Sequence, residues 1–375
     1  MVWLLGNKFD RLEFAGAFGD LGTLIPFVVA YITINKMDPL GVLFGFGVAK
    51  IAMGLYYRTP FPVQPMKVIG AAAIAGRVPA EQIWGAGLFT AFFWLILGAT
   101  GAITWVAKLA TKPVVRGIML GLGLSFIWQG VGMMKGAPVI AAAALILTLL
   151  LFVQEKVPAM LVLLAFGIAV AFILNPALAG EVAKTSIHFK LPYITIGRLD
   201  FGSFVTGTLV FAIPQIPLSL GNAIIAVTAE NNELFPNRKV SERKACITTA
   251  AMNFGSTIFG GVPQCHGAGG MAGHVKFGAK TGGALVILGV IVMIIALFFS
   301  DSVTLIFSLF PKAILGVILF YAGAELASIV KDIGADKRDV YVMVVTAGAA
   351  LFNMGVAFVI GIVFSYIIRK GWTKV

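Results

Sequence analysis

Two short Pro/Gly-broken polar stretches interrupt an otherwise apolar chain, and they carry the side chains best suited to holding a ligand. The first is Thr59-Pro-Phe-Pro-Val-Gln-Pro-Met-Lys67, which supplies Gln64, Met66 and Lys67. The second is Gly260-Gly-Val-Pro-Gln-Cys-His-Gly-Ala-Gly-Gly270, which supplies Gln264, His266 and Gly267. Set at an offset of 200, Gln64 falls on Gln264, Gly70 on Gly270 and Ala72 on Ala272. Helices broken at matching points of two halves are the usual sign of a substrate site in a secondary transporter. In lipid, irregular backbone is tolerated only where it is buried in protein or lines a cavity.

Each stretch has prolines where a short helix would begin, since the first helical turn does not miss a proline's N–H. The geometry expected is an extended approach followed by a half-helix whose free N–H groups face the cavity. A helix start carries about half a positive charge and attracts anions. Two such starts facing each other suit an oxyanion, with Lys67 adding charge and Gln64, Gln264 and His266 offering hydrogen bonds. The alternatives are a plain proline kink and a packing histidine at His266. A metal site at Cys265-His266 is disfavoured, because adjacent residues chelate poorly and no other ligand cluster accompanies them. Cys246 and Cys265 read as unpaired thiols, and no cofactor is implied.

The polar residues nearest in depth lie in the first and eighth apolar runs. The first contains Asp20 and Thr23, and Asp20 has three readings: pairing with Lys50 or Lys67, carrying a coupling proton, or bracing the bundle. The eighth contains Pro214-Gln-Ile-Pro217 and Asn222, with Gln215 a further candidate for the ligand. Glu230, Asn231, Asn232 and Glu233 fall past its end, where a solvated loop is expected.

The elements that must position these groups are membrane spans. Apolar residues make up 59% of the 375 and charged ones only 12%, about half the charge of a soluble chain. Apolar runs near the roughly 20 residues needed per crossing recur throughout. The repeat extends beyond the broken stretches, with Leu21-Gly22 on Leu220-Gly221 and Lys112-Pro113 near Pro311-Lys312. The fold expected is an all-α polytopic membrane protein of about 14 transmembrane segments, in a 7+7 inverted repeat whose third and tenth spans are broken half-helices. Residues 1–175 form the first half, 176–200 a connector and 201–375 the second half, with no soluble domain after the last span. Met1–Glu13 is expected to run straight into the first span without a signal peptide.

With the N-terminus inside, 19 basic residues fall on the cytoplasmic side and 7 on the other, in keeping with the positive-inside rule. Only Lys50 and Lys67 are left within the membrane. The net charge of +12 is thereby explained by loops, with no nucleic-acid partner. The partners expected are a small anion and membrane lipid, with a homodimer as a candidate assembly. Both termini are placed in the cytoplasm and the chain in the cell membrane.

The segments Gly19-Asp-Leu-Gly-Thr23, Pro62-Val-Gln-Pro-Met-Lys67, Pro214-Gln-Ile-Pro-Leu218, Leu234-Phe-Pro236 and Pro263-Gln-Cys-His-Gly-Ala-Gly-Gly270 resemble the molybdate transporter family, a branch related to the sulfate permeases. The likeness continues through Phe277-Gly-Ala-Lys-Thr-Gly282. Lys280 stands where the family tends to carry Arg, and the position of Gln264 is variable in it. The resemblance implies a core domain of spans one, three, eight and ten that moves against a gate domain of spans five to seven and twelve to fourteen. It also implies uptake of a tetrahedral oxyanion, molybdate before sulfate or tungstate. A nucleobase transporter of the same fold is less favoured, since Gln215 stands where those sites use a carboxylate. A membrane-embedded enzyme or a channel completes the alternatives.

Overall fold

The computed structural model describes residues 2–109, 111–153 and 159–370. The chain opens on a hairpin, β1 (Val2–Leu4) and β2 (Asn7–Phe9), turned at Leu5 and Gly6 with φ of 51° and 78°. The expected direct run of Met1–Glu13 into the first span is thereby corrected. The first half continues as α1 (Arg11–Ala17), α2 (Leu21–Thr33) and α3 (Pro39–Tyr57), then the two-residue strand β3 (Gln64–Pro65). It proceeds through α4 (Lys67–Gly76), α5 (Ala80–Thr100), α6 (Ala102–Lys108), α7 (Lys112–Met134), α8 (Pro138–Val153) and α9 (Ala159–Leu174). The stretch 176–200 holds α10 (Ala177–Ala183) and is tied down by backbone bonds from His188 and Lys190 to Phe298 and Leu297, and from Thr195 to Ile258.

A long bent run follows: α11 (Phe201–Thr206), a π-helical turn over Gly207–Ala212, α12 (Ile213–Leu218), a second π-helical turn over Ser219–Ala226, and α13 (Val227–Leu234). Pro214 and Pro217 lack an N–H, so the i→i−4 ladder cannot run through them, and widened turns accommodate the gap. After α14 (Glu242–Ile258) come strand β4 (Gln264–Cys265), α15 (Ala268–Lys276), α16 (Gly283–Phe299), α17 (Val303–Ser308), α18 (Lys312–Ser328), α19 (Lys337–Phe352) and α20 (Met354–Arg369).

The fold is mostly helical, and β3 pairing antiparallel with β4 qualifies the all-α expectation. Several expected spans are divided. The first is bent by 45° between α1 and α2, and 80–107 is broken at Gly101, whose φ of +75° ends α5. The sequence leaves the start of the twelfth span open between Asp301 and Pro311; the long helix begins at Lys312, with α17 a separate short helix. Among the described residues, four helices are long and apolar enough to cross a membrane, and up to seven if each bent pair counts as one. The remaining apolar helices, such as α8 and α20, are shorter than one crossing. Residues 154–158 and 371–375, with the Lys156 and Lys374 of the charge count, lie outside the described residues.

Helix α7 packs on α18 through glycines that leave no room for a side chain. A Cβ on Gly123 would lie 2.7 Å from the Gly323 carbonyl oxygen, and one on Gly316 2.6 Å from that of Gly130. Small residues at such crossings let backbones approach where the hydrophobic effect between helices is absent. Across the molecule, α1 is fixed to the turn before α16 by buried Glu13. Its Oε1 accepts from the N–H groups of Lys280 and Thr281 at 2.9 and 2.8 Å, and its Oε2 from Ala284 at 3.0 Å. Glu13→Ala would leave three N–H groups without an acceptor, at roughly 1–3 kcal/mol for each one that stays dry. Its melting temperature in detergent is expected to fall by several degrees, with Glu13→Gln falling less; equal melting of Glu13→Ala and the parent would remove this bracing role.

Candidate functional site

The two broken stretches meet. Gln64 pairs with Cys265 and Pro65 with Gln264 across the β3–β4 ladder, and the Met66 N–H donates to the Pro263 carbonyl at 2.9 Å. The half-helices α4 and α15 therefore start side by side, with Met66 and Gly267 at their N-cap positions. Neither Met nor Gly has a side-chain oxygen to cap its own helix.

The caps come instead from the bent run before α14. Gln215 Oε1 accepts from Val68 N–H at 2.8 Å and Ile69 N–H at 3.3 Å, while its Nε2 donates to Ser219 Oγ. Asn222 Oδ1 accepts from Ala268 N–H at 3.0 Å. The half-helix starts are thus partly satisfied by protein, where the sequence implies N–H groups left free for a ligand. Gln215 is occupied in capping α4. Asn222, quoted only as part of a motif above, is its counterpart at α15. Both sit on one continuous helical run, and that shared face was the available signal.

Gln64 and Thr23 come together as expected. Gln64 Nε2 donates to Thr23 Oγ1 at 2.9 Å, and Thr23 Oγ1 donates to the Asp20 carbonyl at 2.9 Å. Gln64 Oε1 is buried with no hydrogen-bond partner among the described residues. The amide lies against Gly267 and Gly270, where a Cβ on Gly270 would meet Gln64 Nε2 at 2.6 Å. Gly19, Asp20, Gly22, Thr23, Gln64 and Phe126 are among the residues lining a cleft too narrow for a water molecule.

Lys67 stands at the first position of α4 with its Nζ buried and, among the described residues, without a hydrogen-bond partner. The ammonium lies 4.1 Å from the centroid of the Phe126 ring, which reaches over from α7. A cation at a helix N-terminus opposes the helix dipole. A cation–π contact returns about 0.5–2 kcal/mol, less than the several kcal/mol that desolvating an ion costs. The balance is unfavourable.

Asp20 pairs with Lys50. Lys50 Nζ is 3.0 Å from Asp20 Oδ2 and donates to the Val63 carbonyl at 2.8 Å, with both side chains fully buried. His274 Nε2 is 3.5 Å from the same carboxylate, and its Nδ1 lies 2.7 Å from the Gly16 carbonyl oxygen.

The remaining expected site residues turn elsewhere. His266 Nδ1 is 2.7 Å from the Pro62 carbonyl oxygen and Nε2 is 2.8 Å from Thr248 Oγ1, so both ring nitrogens are engaged. The ring ties the first broken stretch to α14. Gln264 Nε2 donates to Ser256 Oγ at 3.2 Å, on the α3–α14 side away from the cleft. Met66 packs with Ile69, Ala86, Phe211 and Cys265. The solvated loop expected at Glu230 and Asn231 is also corrected. Both are fully buried, and Asn231 Oδ1 accepts from Thr59 Oγ1 at 2.7 Å. The polarity of that stretch concealed a helix end packed inside the protein.

A sequence profile described as "Molybdate transporter of MFS superfamily" matches residues 12–126 and 207–326. "Molybdate transporter 2" of Arabidopsis thaliana is 33% identical, over 93% of this chain and 85% of its own length. Among solved structures, the transmembrane domain of the cyanobacterial bicarbonate transporter BicA aligns with TM-score 0.55 at 14% identity, covering 94% of this chain and 99% of that one. The murine anion transporter Slc26a9, in its inward-facing state, aligns with TM-score 0.56 at 15% identity, covering 100% of this chain and 71% of that one. At such identity these two show the fold alone. It is the fold of those anion transporters, although the profile's description places the family in another superfamily. The relatives are transporters, which removes the enzyme alternative and makes the chain a multi-pass membrane protein. By profile and by identity over nearly its whole length, the chain belongs to the molybdate transporter family.

Proposed function

We propose that this protein imports molybdate, a tetrahedral dianion, across the cell membrane by alternating access. The observation that carries this reading is Lys67: a buried ammonium at a helix start, with no counter-ion among the described residues and only the Phe126 ring beneath it. A dianion seated between the starts of α4 and α15 would neutralise it. Thr23, Gln64 and the backbone at Gly267 would bond the oxygens. Gln215, Asn222 and His266 would hold the two half-helices in place, and Asp20 would compensate Lys50 rather than touch the substrate.

Fourteen crossings in inverted halves, 1–175 and 201–375 joined by 176–200, is the arrangement that the repeat offset and the β3–β4 pairing support. The charge count supports cytoplasmic termini. In this reading α4, α13 and α15 belong to a moving core, and α7 and α18 to the gate. Phe126 then closes the site from the gate side, and the narrow cleft corresponds to a closed conformation that must widen for the anion to enter. A dianion moving inward against a negative-inside potential is opposed by about 4.6 kcal/mol per 100 mV, so concentrative uptake needs a coupled ion.

Uptake of labelled molybdate into proteoliposomes tests the proposal. Tungstate, of the same shape and charge, should compete at nearly equal concentration, the smaller sulfate at tenfold or more higher concentration, and uracil not at all. Competition by uracil, or sulfate outcompeting molybdate, would overturn the substrate.

A further inference from the structure

The acid that carries the coupling proton is not found at the anion site. Asp20 is matched by Lys50 and flanked by His274, and both nitrogens of His266 are in use. Glu230, in the first turn of α13, is different. It is fully buried, and neither carboxyl oxygen has a hydrogen-bond partner among the described residues. An ionised carboxylate left dry and unpaired is one of the costliest states in a protein, and it is relieved by taking up a proton.

The surroundings of Glu230 are acidic and lie where helices from opposite sides of the proposed sliding boundary meet. The charges acting on it are Glu325 of α18, Glu233 of its own helix and Arg116 of α7. Two of these three are negative, and the positive one is already engaged, since Arg116 Nη2 forms an ion pair with Glu233. On α15, which also packs against α13, Lys276 is paired with Glu325 at 3.1 Å. The other titratable side chain of α15, His274, is directed to Gly16 and Asp20. Two ion pairs therefore join α7 to α13 and α18 to α15, and the unpartnered acid sits among them.

We propose that Glu230 is the proton-binding site that couples transport: it holds a proton while the Arg116–Glu233 and Lys276–Glu325 pairs keep the core against the gate, and releases it to water when those pairs separate. Proton transfer is then tied to the same movement that exposes the anion. This inference rests on the transport reading above.

The test uses full-length protein in proteoliposomes, with labelled molybdate and two readouts. One is exchange at equal pH on both sides; the other is accumulation driven by an acidic exterior. Wild type is expected to do both. Glu230→Gln, a fixed mimic of the protonated acid, should retain exchange within about threefold and lose at least tenfold of the accumulation driven by the pH gradient. Accumulation by Glu230→Gln equal to wild type would overturn the proposal, as would wild-type uptake indifferent to the gradient. Should Glu230→Gln fail to fold, Glu233→Gln supplies the answer. It removes a repelling charge, so the midpoint of the pH dependence should move to more acidic pH by about one unit. An unmoved midpoint would overturn the proposal. If wild type exchanges sulfate or tungstate but not molybdate, the substrate reading fails, and the same comparison is run with the anion that is exchanged.

Discussion

Lys67→Met is expected to reduce molybdate uptake in proteoliposomes by about a hundredfold while raising the melting temperature of the protein in detergent. The opposed signs follow from the environment of Nζ. In the empty site the ammonium is desolvated, faces the positive end of α4 and rests on Phe126 alone. Replacing such a charge by an apolar side chain of similar volume removes a penalty that cation–π attraction does not offset. In the occupied site the same charge would face a dianion. Removing one partner of a buried charge pair costs about 2–5 kcal/mol of binding, so a hundredfold loss lies inside the expected range. Uptake and melting measured on one preparation separate this from ordinary damage. A variant that melts higher and still transports at wild-type rate would take Lys67 out of the site. One that melts lower would show that its charge is satisfied by the protein itself.

The half-helices were legible in the sequence because membrane burial makes polarity and broken backbone expensive, and only function or packing sustains either. Pro62, Pro65 and Pro263 located the half-helix starts, and the constant offset of 200 between Gln64 and Gln264 predicted that the stretches belong together. The ladder pairing Gln64 with Cys265 bears out that proximity. The direction of each side chain was not legible. Gln64 and Gln264 are equivalent in the repeat, yet Gln64 bonds Thr23 at the cleft and Gln264 bonds Ser256 on the far side. A linear offset carries no facing, so residues at matching offsets need not turn toward the same cleft.

Capping in trans was hidden for a related reason. Motifs for helix starts are local, within three residues of the cap, whereas Gln215 and Asn222 cap helices about 150 and 46 residues away along the chain. Glu230 illustrates the reverse case. Four polar residues in a row read as solvent-facing because burying them is costly. That cost is met for Asn231 and Asn232 by bonds to Thr59, Arg238 and Val240. For Glu230 no such bond exists among the described residues, which is what marks it for another purpose.

Asp20→Asn is expected to destabilise the protein by about 3–5 kcal/mol, since it leaves Lys50 charged in a dry interior without its counter-ion. Removing both charges, as Asp20→Asn with Lys50→Met, should recover more than half of that loss. Such recovery is the signature of two residues whose effects do not add because they serve one interaction. The second oxygen of Asp20 adds a functional consequence. Oδ2 is held by Lys50, whereas Oδ1 is unpartnered among the described residues, and Asp20 helps to line the cleft beside Thr23 and Gln64. A carboxylate so close to the proposed anion site is tolerable only while Lys50 neutralises it. Lys50→Met alone should therefore weaken molybdate binding more than it weakens folding, whereas the double variant should bind nearly as wild type. Melting of the four proteins, with and without molybdate, gives both cycles at once. Independent, additive losses would mean that Asp20 and Lys50 act separately, and that the carboxylate has a role in transport beyond balancing its partner.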